Sequence, residues 1–308
     1  MKVAAIDCGT NTIKLLIGTL SGENADASLT VEVKEARMVR LGEGLDQSGV
    51  IGDAALSRAF AALDEYADLI RSHGAERIRF VATSATRDAG NAAVFIDGVR
   101  DRLGVDVEVV PGQEEAALAF DGAVRNLITP PALPVLVVDI GGGSTELIRG
   151  SSVTAPPSAA FSMQIGSVRM HERHLRSDPP TMDEVAACVR DIDDHLDQCS
   201  VDPSRAATVV GVAGTITTIA AGVLGLAAYD RDAIDHAVLP VATVHQVVDQ
   251  LVAMTVSERL TLGWMHPGRA DVIAAGGLIL SRILRRVPVE EIVVSESDIL
   301  DGIAWSLR

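Results

Sequence analysis

An α/β fold built from two copies of one domain, with a cleft between them, is what this 308-residue sequence predicts. Three observations carry that reading. The apolar run Val3–Ile6 leads through Asp7 and Cys8 to Gly9, and Val135–Val138 leads through Asp139 and Ile140 to Gly141, so Asp-x-Gly occupies the same place twice. The alternation of strand-like and helix-like periodicity restarts at the second copy. Apolar residues make up 48 % of the chain but aromatics only 3 %, so two cores of ordinary size must be packed from Ala, Val, Leu and Ile.

The elements follow in order. "KVAAIDCGTNTIKLLIGTL" reads as a strand, a turn at Cys8–Asn11 and a second strand, and "SLTVEVKEARMVRL" alternates as a third. Asp53 starts a helix whose apolar residues Leu56, Phe60, Leu63, Ala67 and Ile70 share a face until Gly74 stops it. A strand at Ile78–Ala82, a helix from about Asn91, a strand at Val105–Val110 and a helix opening at Gln113–Glu115 complete the first copy. "TPPALP" is linker-like and divides the chain into domains 1–128 and 129–308. The second copy runs strand, glycine turn, strand, then a third strand within "SAAFSMQIG". A helix over Met182–Cys199, a strand at Thr208–Val212 and a helix after Gly214-Thr215 come next. Helices near Val241–Met254 and Arg269–Arg286, a strand at Glu291–Val294 and a last helix from Asp298, free to pack back on the first domain, end it.

Charge and composition exclude some functions. The 26 basic against 42 acidic residues give a net charge of −16, so duplex nucleic acid is not an expected partner and an anionic substrate needs a local site. Cys8, Cys188 and Cys199 show no Cys-x-x-Cys spacing, which points to a reducing, cytoplasmic setting without a disulfide framework or zinc site, and no leader precedes Val3. The stretch Ala206–Tyr229 lacks charged residues over a length that could span a bilayer. Its four glycines and four threonines fit a buried strand, a turn and a short helix better, so no membrane association is expected.

The loops carry the chemistry. Each Asp-x-Gly turn is followed by hydroxyl or amide residues: Asn11 and Thr12 in the first, and in the second, after Gly142 and Gly143, Ser144 and Thr145, with the carboxylate Glu146 next. Backbone N–H groups at Gly9, Gly141, Gly142 and Gly143 stand clear of side chains and can approach phosphate oxygens. Asp7 and Asp139 would face a Mg²⁺ bridging those oxygens. Asp-Gly turns are also simply good hairpin turns, an alternative the paired loops weaken. Gly214-Thr215 opens a helix after a strand, a ready anion site that close packing alone would also explain. Arg87, in "ATSATRDAGN", follows a strand, where arginine can clamp phosphate or simply pair with Asp88. Glu114 and Glu115 sit in a helix's first turn, where the dipole favours carboxylates, and point about 100° apart, so at most one faces a site squarely. Arg169, Arg173 and Arg176 recur at helical spacing and read either as a solvated face or as a guide for a polyanion.

"AIDCGTNTIKLLI", "ATSATRDAGN", "PGQEEAALAF", "VVDIGGGSTEL" and "GVAGTITTIAA" together resemble, in that order, the motifs of the exopolyphosphatase / guanosine pentaphosphate phosphohydrolase (Ppx/GppA) family, over nearly the whole chain. The resemblance implies two ribonuclease-H-like domains of the actin-like, sugar-kinase-like superfamily with an interdomain active-site cleft. It implies Glu115 as the catalytic glutamate, and Arg87, Asp139, Ser144 and Glu146 as phosphate and metal contacts. The implied activity is Mg²⁺-dependent hydrolysis of the terminal phosphoanhydride of inorganic polyphosphate, of short chains in particular, with Mn²⁺ as a substitute ion. Guanosine pentaphosphate is the competing substrate, and an alarmone sensor holding guanosine penta- or tetraphosphate is a competing class. A kinase or chaperone ATPase fits less well, because a glutamate near the terminal phosphate suits attack by water. Longer members carry a helical C-terminal region with a His-Asp motif that this sequence lacks, and Cys8, Thr10 and Thr12 depart from the usual wording of the first motif. Assembly, with a homodimer as one option, stays open.

Overall fold

The structure is a computed structural model and describes residues 1–22 and 27–308. It divides into two compact units: residues 1–122 with 299–308, and residues 123–298.

In the first unit β1 (Lys2–Cys8), β2 (Thr12–Ser21), β3 (Ser28–Met38), β4 (Arg77–Ala82) and β5 (Val107–Val109) form one sheet in the order β3-β2-β1-β4-β5. β1 pairs antiparallel with β2 and parallel with β4, and every β1 residue from Val3 to Cys8 is buried. A strand apolar on both faces must be covered on both, and helices do so. After the short α1 (Leu45–Ser48), α2 (Asp53–His73) packs its buried row Leu56, Leu63, Tyr66 and Ile70 on the sheet, and the Tyr66 hydroxyl donates to Ile13 O at 2.9 Å. Gly74, at φ 66°, closes that helix in the left-handed region that glycine adopts without steric cost. The short α3 (Ser84–Asp88), α4 (Ala92–Leu103) and α5 (Gly112–Arg125) follow, and the division between the units falls within α5.

The second unit repeats this plan. β6 (Val135–Ile140), β7 (Thr145–Gly150), β8 (Ala159–Met163), β9 (Thr208–Val212), β10 (Val238–Pro240) and β11 (Glu291–Val294) are ordered β10-β11-β9-β6-β7-β8. Replacing β1, β2, β3, β4 and β5 by β6, β7, β8, β9 and β11 turns the first order into the second, with β10 added at one edge. Both sheets thus have the ribonuclease-H-like order that the resemblance implied. The connecting helices are α6 (Ser167–His174), α7 (Met182–Asp197), α8 (Ala213–Val223), α9 (Arg231–Ile234), α10 (Val241–Ala253), α11 (Val256–Arg259) and α12 (Ile273–Leu284). α7 opens on a reciprocal Thr181–Glu184 capping box, and α12 is buried along most of its length. The uncharged stretch 206–229 splits into β9 and α8, and no helix among the described residues is long and apolar enough to cross a membrane.

The structure departs from the sequence reading at several places. The helix expected over Arg269–Arg286 begins at Ile273, because Pro267-Gly268 makes a separate 3₁₀ turn that ends at Arg269. β10 and the four-residue helices are too short to leave a periodic signal.

α13 (Ile299–Trp305) belongs to the first unit. Lys34 Nζ lies 2.9 Å from Asp301 Oδ2, and Arg77 donates to Leu307 O at 2.7 Å. Gly302 is required by proximity: a Cβ there would stand 2.0 Å from the carbonyl oxygen of Leu118 in α5. Gly302→Ala should therefore push α13 off α5 and cost about 1–3 kcal/mol, the usual penalty of overpacking. Calorimetry should show the loss as a fall in Tm, and an unchanged Tm would mean that α5 is not held this way.

Candidate active site

The first unit gathers Asp7, Gly9, Asn11, Thr12, Arg87 and Glu115 near the ends of β1 and β4 and the start of α5. The β1–β2 turn is closed by Gly9 N–H donating to Thr12 O at 3.0 Å, which sets Asp7 directly opposite Lys14. Lys14 Nζ is 3.5 Å from Asp7 Oδ2, so this buried carboxylate has a cation of its own. The carbonyl of Asn11 accepts from Val39 and Arg40, at 3.0 and 2.9 Å. Thr12 Oγ1 donates to Met38 Sδ at 3.1 Å, and the Thr10 and Ser84 hydroxyls share a buried bond of 2.9 Å. Gly42 lets the chain pass Thr10, whose Cγ2 a Cβ at 42 would meet at 2.3 Å.

Arg87 lies on α3, directly after β4. Its Nη1 donates to Val110 O at 2.9 Å and to Glu115 Oε2 at 3.1 Å. The N–H of Glu115 donates to Pro111 O, which starts α5 and turns the side chain inward, where it is 7 % exposed. Glu114, the next position round the helix, points elsewhere and binds Arg79 at 2.8 Å on the surface. Burial pushes the Glu115 carboxyl up to about 7; Arg87 opposes the shift, and the negative charges of Asp7 and Asp88 add to it.

In the second unit Gly141 N–H donates to Ser144 O at 3.0 Å, closing the same turn as in the first. The register then sets Asp139 opposite Glu146, and both carboxylates are buried. Directly opposed like charges destabilise a sheet unless something offsets them. Ser162 on β8 donates to Glu146 Oε1 at 2.6 Å. Where the first copy has a lysine, the second has a glutamate. Two carboxylates suit Mg²⁺, which is commonly held by one or two carboxylates together with phosphate oxygens and water. No group of three or more such side chains that could hold a metal occurs among the described residues.

The N–H groups of Gly142, Gly143 and Ser144 donate to nothing among the described residues, and the Ser144 side chain is buried with them. Adjacent N–H groups left without acceptors are what an anion-binding turn offers. The Thr145 hydroxyl, expected to join them, donates instead to Ile165 O at 2.6 Å.

The third loop opens α8. Ala213 is held at φ 67°, a strained conformation for a non-glycine residue and one that concentrates at functional sites. The Arg269 guanidinium lies over Gly214, where a Cβ would stand 2.5 Å from Nη2. Its Nη1 donates to Thr218 Oγ1 at 2.9 Å, and that hydroxyl donates to Gly214 O at 2.6 Å. Thr215 packs its methyl group against Gly276 of α12. Sequence reasoning missed Arg269 because it assigned this residue to a helix. It missed Lys14 because one lysine in an apolar strand carries no motif.

A sequence profile described as the Ppx/GppA phosphatase family matches residues 22–307. The chain is 44 % identical over 317 residues to exopolyphosphatase 2 of Mycobacterium tuberculosis H37Rv, covering 99 % of this chain and 98 % of that protein. Among solved structures, an exopolyphosphatase-like protein matches with a TM-score of 0.93 at 41 % identity, covering 100 % of this chain and 98 % of that one. The Aquifex aeolicus Ppx/GppA family member matches with a TM-score of 0.81 at 30 % identity, with 100 % and 98 % coverage.

The raised Glu115 carboxyl fixes the sign of a stability effect. A folded value above the unfolded one contributes stability at low pH that is lost as pH rises through the folded value. Wild type should therefore lose stability relative to Glu115→Gln between the ordinary value near 4.5 and about 7, by roughly 3 kcal/mol at about 1.4 kcal/mol per unit. Denaturant melts of both proteins at pH 4.5 and 8 measure this, and a constant difference would place Glu115 in water.

Proposed function

The chain belongs to the Ppx/GppA phosphatase family, and from that premise we propose that it is an exopolyphosphatase: it hydrolyses the terminal phosphoanhydride of inorganic polyphosphate, of short chains in particular, and releases orthophosphate. The observation that most supports this reading is the placement of Glu115, a buried carboxylate 3.1 Å from Arg87; burial pushes its carboxyl up to about 7, in the range a general base working near neutrality requires.

In this reading the N–H groups of Gly142, Gly143 and Ser144 and the Ser144 hydroxyl bind phosphate oxygens, whereas the N–H groups of Gly9 and Gly141, expected to do so, are taken up in closing their own turns. Gly214, Thr215 and Arg269 receive further phosphates. Glu115 takes a proton from the attacking water at Oε. The water oxygen bonds to the terminal phosphorus in line as the bridging P–O bond breaks, and the shortened chain leaves with the electron pair on its new terminal oxygen. Nε and Nη2 of Arg87 donate to nothing among the described residues, so they can support the charge on the equatorial oxygens while Nη1 keeps Glu115 in place. Asp139 and Glu146 would hold Mg²⁺, or Mn²⁺ in its stead, whereas Asp7 already pairs with Lys14. When bound, the ion would supply positive charge to the phosphate oxygens. Three unpaired cysteines support a cytoplasmic setting.

Phosphate release from short polyphosphate, long polyphosphate, guanosine pentaphosphate and ATP, measured side by side with Mg²⁺, tests the assignment. Short polyphosphate should be turned over fastest, and preference for guanosine pentaphosphate would make that nucleotide the substrate. Glu115→Gln should lower kcat by about 10²–10⁴-fold with KM unchanged or lower. Glu114→Gln should have little effect, since Glu114 pairs with Arg79. The kcat/KM of wild type should rise with pH up to about 7 and then level. A profile flat from pH 5.5 to 8.5 would remove Glu115 from the role of base.

A further inference from the structure

All three glycine carbonyls of the 141–143 loop are taken up on one side, by a single segment 26 residues away. Gly141 O accepts from Ser167 N at 2.9 Å and Ser167 Oγ at 3.3 Å. Gly142 O accepts from Val168 N at 2.9 Å and Arg169 N at 3.1 Å. Gly143 O accepts from the side chain of Arg169, through Nε at 2.8 Å. The N–H groups consumed are those of the first turn of α6, which a helix leaves without intrahelical partners. Thus α6 does not present its N-terminus to an anion; it grips the loop from behind.

The two ends of a planar trans peptide point in opposite directions. Fixing the carbonyls of Gly141, Gly142 and Gly143 toward α6 therefore turns the N–H groups of Gly142, Gly143 and Ser144 the other way. The approach is so close that Gly166, at an ordinary extended φ of −142°, has room for no side chain. A Cβ there would stand 2.4 Å from the carbonyl carbon and oxygen of Gly142 and 2.5 Å from Gly143 N. Four of the five attachments are made by backbone or by a hydroxyl. The last peptide, Gly143–Ser144, is held only by the guanidinium of Arg169 among the described residues.

We propose that Arg169 is a positioning residue for phosphate binding, with Gly166 providing the space in which it acts: it locks the Gly143–Ser144 peptide so that the Ser144 N–H, not the Gly143 carbonyl, faces the phosphate. Glycine at 143 makes the reverse orientation accessible, because it permits backbone angles that other residues disfavour. In that orientation a carbonyl dipole would oppose the anion. The proposal rests on the reading of the glycine loop as a phosphate site.

Arg169→Ala, Arg169→Lys and Gly166→Ala test it, with two readouts: kcat and KM on short polyphosphate, and calorimetric binding of inorganic orthophosphate, which needs no turnover. Lysine keeps the stem and the charge but has no Nε donor at that place, and it serves if the alanine variant fails to fold. The expected result is a rise of about 10-fold in KM and in the phosphate Kd for all three, the worth of one charged hydrogen bond, with kcat changed by less than about threefold. The pH dependence of kcat should keep its wild-type shape. Full rescue by lysine would show that Arg169 acts only as a charge, and a fall in kcat at unchanged KM would show a purely structural role. Either outcome overturns the proposal. If wild type binds orthophosphate but does not release it from polyphosphate, the function assigned above fails while this inference is still decided by the binding data.

Discussion

The bond that closes each glycine turn governs the chemistry of this protein. Gly9 N–H to Thr12 O and Gly141 N–H to Ser144 O, both 3.0 Å, set the register of the two central hairpins. A slip of one residue in either would move every side chain of the strand to the opposite face. With the register as it stands, Asp7 is opposite Lys14 and Asp139 is opposite Glu146. One difference between two copies of the same motif thus places a lysine opposite one aspartate and a glutamate opposite the other. The duplication supplied the scaffold, and the residue facing each aspartate set the charge of each loop.

A second constraint acts on Glu115. The backbone bond to Pro111 begins α5 at a point where one glutamate of an adjacent pair must turn inward and the other outward. Arg79 stabilises the outward one and Arg87 the inward one. Burial pushes the Glu115 carboxyl up to about 7, and the ion pair with Arg87 opposes that shift. Glu115 and the arginine that holds it therefore come from the elements that follow β5 and β4, α5 and α3. The tight seat of Gly302 on Leu118 braces the helix that carries Glu115.

Much of this was legible in the sequence, for a physical reason: the signals were local. The strand–turn–strand pattern, the order of the repeats and the division between Glu114 and Glu115 depend on residues a few positions apart. What was not legible depends on distant approach. Nothing near Gly166 announces that its Cβ would strike Gly142, and nothing near Arg269 announces that its guanidinium covers Gly214. Pro267-Gly268 did carry a signal, since the turn it makes runs through Arg269, where the reading began the helix. The spacing of Arg169, Arg173 and Arg176 suggested one face for a polyanion. The fold instead turns Arg169 to Gly143 O and pairs Arg173 with Asp191 at 2.9 Å, because each has a nearer partner than solvent.

The central claim is that water attacks the terminal phosphorus of a phosphoanhydride chain. Hydrolysis of tripolyphosphate in ¹⁸O-enriched water, followed by mass spectrometry of the products, tests it most directly. The account predicts that each first turnover gives one orthophosphate bearing a single ¹⁸O atom from solvent and one unlabelled pyrophosphate. Label in the pyrophosphate would mean attack at a different phosphorus, and that result would contradict the account.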